Sequence, residues 1–536
     1  MRASHELDRL PLVNRERFKH GVADMAAKEL ELKLELPPAT LPALNKLPLF
    51  RRLKFAPQRK TEVSVYFDTQ KHKLRKKGLM LRVRHVGNRY VQTIKASGNS
   101  GSFERDEWEA EISGNEPELR FAKGTALEPL AKKKLRRRLK PMFETRVRRT
   151  LYPLRDDRRA IALTIDRGTI DSGTRSTKLC EIELELQRGN VSDLFDVARD
   201  LIDAVPAGLA VKSKSERGYE LLEKKQNAPA RAGDIHLQPD ACARDAFQAV
   251  GRACLKQVLD NRPALIGSDP EGVHQMRVGL RRLRAAMSLF GDLLRDDETA
   301  AIKAELKWLT GELGPARELE VLMKRVVSPT RKQRARWPGL SAFSHELAQK
   351  REAALGRAQD AVQSSRYRAL TLDVAAWLEA GQWRRPADDL VRDRGDVAIA
   401  VFAAAELARR RRKVRKKGRA LAELDAKSRH KLRIQTKKVR YAAEFFRDVF
   451  PNRRAAKRRK KFLSALEPLQ DALGDLNDIA VHEQRMEALG LGRGRTNRKE
   501  AFAAGVLTGQ EDARAVPAME AGREAYADFA RCKPFW

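Results

Sequence analysis

The segment Lys28-Glu-Leu-Glu-Leu-Lys-Leu-Glu-Leu36 alternates charged and aliphatic side chains almost perfectly, without a break from Glu29 onward. In an extended chain, side chains two apart share a face, so this segment has one charged face and one aliphatic face. A helix would scatter the same residues around its axis. Leu81-Arg-Val-Arg84 and Glu181-Ile-Glu-Leu-Glu-Leu186 repeat the pattern. Period two dominates to about residue 225. The polar, Pro- and Gly-containing stretch Lys224-Lys-Gln-Asn-Ala-Pro-Ala-Arg-Ala-Gly233 then punctuates the chain. Beyond it, Ala, Leu, Arg and Glu recur at helical spacing nearly to Trp536. The sequence therefore predicts a two-domain α+β chain, with an antiparallel β domain followed by an all-α domain. We set the boundaries at 1–24 for a polar tail, 25–225 for the β domain, 226–236 for a linker and 237–536 for the helical domain.

The charged faces of the strands carry the first chemical signal. Glu29, Glu31, Lys33 and Glu35 line one side of the first strand. Glu107, Glu109 and Glu111 share a face, as do Glu181, Glu183 and Glu185, and Arg82 with Arg84 forms a basic pair. Any one such face is compatible with an ordinary sheet wetted on one side. Together they are less ordinary, because like charges at neighbouring same-face positions repel. Carboxylate clusters suit a hard cation such as Mg²⁺. Arginine and lysine clusters suit phosphate oxygens. A closed barrel with a polar lumen would bring the two kinds together, where a metal could bridge carboxylate and phosphate as a P–O bond breaks.

The whole chain has 109 Lys+Arg against 72 Asp+Glu, a formal net charge of +37, which implies a polyanionic partner. Aromatic residues make up only 6%, which argues against base stacking on single-stranded nucleic acid. Cys180, Cys242, Cys254 and Cys532 are scattered, with neither zinc-knuckle spacing nor a disulfide framework, so a reducing cytoplasm is expected. No apolar run is long enough to span a bilayer, and the first residues lack the apolar core of a signal peptide. Met1 and Met25 are both open as translation starts.

Glu29-Leu-Glu31-Leu-Lys33 resembles the ExExK signature of CYTH proteins, the triphosphate tunnel metalloenzymes. Further segments resemble that family in the same order. They are Tyr66-Phe-Asp-Thr69, Leu74-Arg75 with Leu81-Arg-Val-Arg84, Gln92-Thr-Ile-Lys95 and Arg105-Asp-Glu-Trp-Glu109. Phe143-Glu-Thr145 with Arg149, Asp166-Arg-Gly168, Glu181-Ile-Glu-Leu-Glu185 and Ser213-Lys-Ser-Glu-Arg-Gly-Tyr219 follow. The resemblance covers roughly 25–225 and implies an antiparallel barrel with a charged tunnel. It implies that Glu29, Glu31, Asp166, Glu181, Glu183 and Glu185 hold one or two Mg²⁺ (or Mn²⁺) ions. Lys33, Arg82, Arg84, Lys95 and Arg149 would hold a triphosphate. Lys214 would come from a helix that plugs one tunnel end and would position the attacking water. The chain departs from the family at Ala162, four residues before Asp166, where an acidic residue is common. That leaves the number of metals open.

The helical half contains an internal repeat. His274-x-x-Arg277-x-x-x-Arg281-Arg282-x-Arg284 is matched at every offset by His430-x-x-Arg433-x-x-x-Lys437-Lys438-x-Arg440. Leu313-Gly-Pro-Ala-Arg317-Glu318 and Leu473-Gly-Asp-Leu-Asn477-Asp478 follow each copy. At about 100° per residue, offsets 0, 3, 7 and 10 fall within an arc of roughly 80°. His274, Arg277, Arg281 and Arg284 thus form one stripe, with Met276, Leu280, Leu283 and Met287 opposite for a bundle core. A solvated basic face is the plain alternative for one helix. The same stripe twice argues for an anion that bridges the cations. Neither histidine has an acidic or histidine partner at i+4, which argues against a metal there.

Residues 271–290, Leu313-Gly-Pro-Ala-Arg317 and the closing Lys533-Pro-Phe-Trp536 closely resemble the CHAD family over about 235–536. That resemblance implies two four-helix bundles, related by pseudo-symmetry, around a basic pore that binds inorganic polyphosphate. The pore residues it implies are His274, Arg277, Arg281, Arg284, His430, Arg433, Lys437, Lys438 and Arg440. Arg282, Arg317 and Arg366 join the polyphosphate-binding candidates. The expected function is metal-dependent hydrolysis of inorganic triphosphate in the cytoplasm, at polyphosphate granules, with no specific nucleic-acid binding and no membrane insertion. A tunnel that only holds phosphate chains, hydrolysis of thiamine or nucleoside triphosphates, and a nucleic-acid binder selected by charge are the competing readings.

Overall fold

The computed structural model describes residues 27–44, 46–51, 56–96, 104–238, 240–334, 336–337, 339–490 and 498–536. The N-terminal tail and the side chain of Glu29 lie outside the described residues. The chain forms two compact units: one runs to Ala228 and takes in Ser364–Ala380, the other holds Pro229–Gln363 and Gly381–Trp536.

In the first unit the alternating segments become strands: β1 (Ala27–Glu35), β2 (Gln58–Thr69), β3 (Leu79–Val86), β4 (Arg89–Ala96), β5 (Glu104–Ile112), β6 (Leu139–Arg155), β7 (Ala160–Ser172), β8 (Arg175–Arg188) and β9 (Gly208–Ala210). Their order is β5-β4-β3-β2-β6-β7-β8-β1-β9, and an antiparallel β1–β5 pairing closes β1 to β8 into a ring. Closure removes the free edges that an open sheet would expose. Leu32 and Leu34 of β1 and Ile182 and Leu184 of β8 are fully buried on the outer side of the wall. Helix α1 (Val191–Ala204) packs on β8, and the helix Ser365–Ala380 packs on α1 and β9. Asp373 of that helix accepts a hydrogen bond from Arg199 at 3.2 Å.

Helix α2 (Lys214–Leu222) caps one end of the ring. A reciprocal capping box starts it: Ser213 N–H donates to Glu216 Oε2 at 2.8 Å, and Glu216 N–H to Ser213 Oγ at 3.1 Å. Its Tyr219 and Leu221 pack with Tyr66, Phe143 and Val147. The Tyr66 and Phe143 rings stack at 4.6 Å, and Tyr219 meets Phe143 edge-on at 5.2 Å. A Cβ at Gly218 would lie 2.2 Å from the Phe143 ring, so only glycine lets the helix approach this closely. Asp68 ties the plug to the wall: it accepts from Tyr219 Oη at 2.9 Å and from Leu74 N–H at 2.8 Å.

The second unit is helical. Helix α3 (Pro270–Leu289) and helix α6 (Ala426–Phe445) carry the two copies of the repeat, with α4 (Gly314–Leu322), α5 (Ile399–Gly418) and α7 (Arg453–Gly490) among their neighbours. Each copy is N-capped by an aspartate: Asp269 accepts from Glu271 N–H and Asp425 from Ser428 N–H. Met276, Leu280, Leu283 and Met287 are all at most 2% exposed, which places the apolar side of α3 in the core. Helices α3 and α6 pack on each other. Among the described residues no helix is long and apolar enough to cross a membrane.

Candidate functional site

Strand register assembles the lumen of the barrel. Asp166 on β7 lies opposite Arg149 on β6 and Glu181 on β8. Lys33 on β1 lies opposite Glu183, and Glu31 opposite Glu185. Thus β6, β7, β8 and β1 turn a continuous set of charges inward.

Asp166, Glu181 and Glu183 form the acidic centre. Each offers a carboxylate oxygen within 4.8 Å of the others, and all three are buried. The Lys214 ammonium sits among them, 2.7 Å from Asp166 and 2.8 Å from Glu183, with Glu181 also in contact. Arg149 grips Asp166 with two hydrogen bonds, Nε to Oδ1 at 2.7 Å and Nη2 to Oδ2 at 2.6 Å, and reaches Glu183 Oε2 at 2.8 Å. Lys33 joins Glu183 and lies 3.0 Å from Glu31. Burial raises the Glu183 carboxyl, but Lys214, Lys33 and Arg149 outweigh it and hold the group well below the usual range. Glu181 is instead pushed up by burial, with Glu183 adding to the shift against Lys214 and Lys33. Burial pulls Lys214 down, but Asp166, Glu181 and Glu183 hold it well above its ordinary value, so it stays an ammonium.

A second group lies on β2 to β5. Lys95 pairs with Glu107 at 2.7 Å, Arg84 with Glu109 at 3.3 Å and Arg82 with Glu107 at 3.5 Å. Thr93 donates to Glu109 at 2.9 Å. The Nε atoms of Arg82 and Arg84 are buried without a hydrogen-bond partner. Glu62 on β2 lies between the two groups, 2.7 Å from Lys60 and 3.8 Å from both Arg84 and Arg149. The sequence candidates omit Lys60 and Glu62, although Lys60-x-Glu62-x-Ser64 alternates as the other lumen strands do. Ala162 faces Glu185 across the β7–β8 ladder.

Three buried carboxylates around a trapped ammonium suit a hard divalent cation, since they offer oxygen donors at a point where positive charge is already stabilised.

The helical unit holds a cluster of another kind. Arg281 of α3 feels Arg433 and Lys437 of α6 across the helix pair, and His274 and Arg317 on its own side. The buried Nε atoms of Arg281 and Arg433 have no hydrogen-bond partner. Arg277 donates to the Thr310 carbonyl at 3.1 Å. The nearest acid to Arg433 is Asp478 at 3.9 Å, which is shared with Arg325 at 3.4 Å. Burial, then Arg433 and Arg281, push Lys437 down to about 7. Burial and Arg317 push His274 down to about 4.

His274, Arg277, Arg281, Arg317, Arg433 and Lys437 therefore come together. The other candidates have partners of their own, although Arg440 also acts on Lys437. Arg282 is buried, donates to Gln257 Oε1 at 3.0 Å and lies over the Phe445 ring at 5.4 Å. Arg440 is held by Glu444 at 2.8 Å and Gln470 at 3.2 Å. Lys438 donates to Ser288 Oγ at 2.8 Å and neighbours Arg410, Lys413 and Arg284. His430 is exposed and bonds Asn477, which stands where the first copy has Arg317. Arg366 is exposed on the helix Ser365–Ala380, in the barrel unit. Arg325 was not legible as a partner of this cluster, since its acids Asp475 and Asp478 are some 150 residues away in sequence.

A closed antiparallel barrel with a charge-lined lumen, followed by a duplicated helical unit with a buried cationic cluster, defines the class of protein. Residues 27–219 match the CYTH domain and residues 249–487 the CHAD domain, so the chain is a CYTH domain followed by a CHAD domain. A Haemophilus influenzae protein named inorganic triphosphatase is 31% identical over 176 residues, covering 30% of this chain and 46% of that protein. The chain thus spans less than half the length of that curated relative. The crystal structure of a CHAD domain from the plant Ricinus communis is similar at 31% identity, covering 56% of this chain and 96% of that one, with a TM-score of 0.48. A Hippeastrum protein, described as a putative adenylyl cyclase with a dominant triphosphatase activity, is 16% identical over 36% of this chain and 95% of its own, with a TM-score of 0.28.

Proposed function

We propose that the barrel hydrolyses inorganic triphosphate to diphosphate and phosphate with the help of Mg²⁺ or Mn²⁺, and that the helical domain binds inorganic polyphosphate. The observation that carries the reading is the juxtaposition of Asp166, Glu181 and Glu183 with the cations of Arg149, Lys33 and Lys214. Asp166, Glu181 and Glu183, with Glu31 beside Lys33, would hold the metal, which supplies charge neutralisation at the phosphoryl oxygens. Arg82, Arg84, Lys95 and Arg149 bind and orient the phosphate chain. Lys214, which stays protonated, is a donor and not a base: its ammonium can orient the attacking water and hold charge at the reacting phosphorus. The aromatics Tyr66 and Phe143 of the wall are packed on one another and on Tyr219 of the plug, which favours an inorganic chain over a stacked base. The name of the Haemophilus relative points the same way.

In the helical domain, clustered cations whose buried Arg281 and Arg433 Nε atoms have no hydrogen-bond partner are the feature a polyanion would complete. This reading places the protein in the cytoplasm, at polyphosphate granules. The test is phosphate release from tripolyphosphate, thiamine triphosphate, ATP and long-chain polyphosphate with Mg²⁺. Fast release from tripolyphosphate alone supports the reading. A preference for thiamine triphosphate or ATP moves the substrate. No release from any of the four leaves a tunnel that only holds phosphate.

A further inference from the structure

Glu62 is 6% exposed and sits at the junction of the two charged groups of the lumen. Its contacts come from three strands: Lys60 on its own β2, Arg84 on β3 and Arg149 on β6. Each arginine has a shorter contact elsewhere, Arg149 with Asp166 and Glu183 and Arg84 with Glu109. At 3.8 Å, Glu62 makes no hydrogen bond to either arginine, yet at that separation in a buried setting the attraction is strong. Burial raises its carboxyl, but Arg149, Lys60 and Arg82 hold it below the ordinary range, so it is an anion. A negative charge fixed between phosphate-binding cations does two things. It keeps their side chains turned inward when no ligand is present. It also subtracts from the field that any phosphate chain feels there.

We propose that Glu62 is a positioning residue of the tunnel, which presets Arg84 and Arg149 and keeps the grip on phosphate chains loose enough for an anionic product to leave. The inference rests on the hydrolytic reading above. With Glu62 neutral, substrate and diphosphate both bind more tightly, and release of diphosphate limits turnover.

The test uses the full chain with Mg²⁺ and tripolyphosphate, comparing Glu62→Gln and Glu62→Asp with the wild type. Loss of one charge at this separation is worth about tenfold in affinity. Glu62→Gln is expected to lower KM and the diphosphate inhibition constant together by about that factor, and to lower kcat. Glu62→Asp keeps the charge and returns both constants toward the wild type. A purely structural role would lower kcat/KM and Tm without tightening diphosphate. An unchanged or raised KM in Glu62→Gln overturns the proposal. If the wild type hydrolyses none of the triphosphates, the hydrolytic reading falls separately. Calorimetric titration with tripolyphosphate then decides the role of Glu62, and equal affinity in wild type and Glu62→Gln overturns it.

Discussion

The barrel lumen and the helical cluster both collect cations, but they treat them in opposite ways. In the lumen Lys33, Arg82, Arg84, Lys95, Arg149 and Lys214 all have carboxylate partners within 4.0 Å. In the helical unit the Nε atoms of Arg281 and Arg433 are buried without a hydrogen-bond partner, Arg433 has only the distant Asp478 at 3.9 Å, and Lys437 is driven down to about 7. A self-neutralised site can be buried without its ligand, because its ion pairs offset the desolvation of its charges. It can then exchange ion pairs for a metal and a phosphate chain. A site of like charges stores repulsion, which a polyanion would relieve. The first arrangement suits turnover and the second suits retention.

Four measurements would break or sharpen this contrast. The largest effect is expected from Glu183→Gln, which removes the carboxylate shared by Lys33, Lys214 and Arg149. Turnover of tripolyphosphate should fall by at least about a thousandfold, as for loss of a central electrostatic group, while polyphosphate binding to the full chain is unchanged. Equal losses of both would end the division of labour.

The double substitution Arg281→Ala with Lys437→Ala should do the converse. Removing two charge-assisted contacts should weaken polyphosphate binding by about a hundredfold, with tripolyphosphate turnover retained. Duplex DNA that competes with polyphosphate on equal terms at physiological salt would instead point to a general polyanion surface.

A smaller effect is expected from pH. Lys437 is protonated in the free protein below about 7 and neutral above it. A bound polyanion favours the ammonium, so binding takes up a proton once the pH exceeds about 7. Affinity should then be highest below pH 7 and fall by up to about tenfold per unit above it, whereas Lys437→Arg should flatten the profile. The sign for stability is opposite. The unfolded chain holds this proton up to its ordinary value of 10.5, so the free protein gains stability as pH rises from about 7 toward that value.

The smallest effect is on stability itself. Arg281→Met removes a stored repulsion and should raise the Tm of the ligand-free protein by about 2 °C, measured by scanning calorimetry. Arg149→Met, which leaves Asp166 and Glu183 buried without their partner, should lower it.

Much of this was legible in the chain because strands and helices impose fixed periods. Alternation in Lys28–Leu36 and Glu181–Leu186 specified strands and assigned Glu31, Lys33, Glu181 and Glu183 to one face. The 3- and 7-residue spacing of His274, Arg277 and Arg281, repeated from His430, specified two equivalent stripes and an apolar reverse. Those features depend only on local backbone geometry. What the sequence could not determine depends on register and on helix rotation, which long-range packing sets. Register put Arg149 opposite Asp166, and the strand order β3-β2-β6 put Glu62 between Arg84 and Arg149. Helix rotation sent Arg282 to Gln257 and Phe445, and left Arg440 with Glu444, while Arg281 and Lys437 met across the pair. Like residues at like spacing thus ended in different surroundings, because a side chain's partners are fixed by the neighbour it is folded against and not by its own strand or helix.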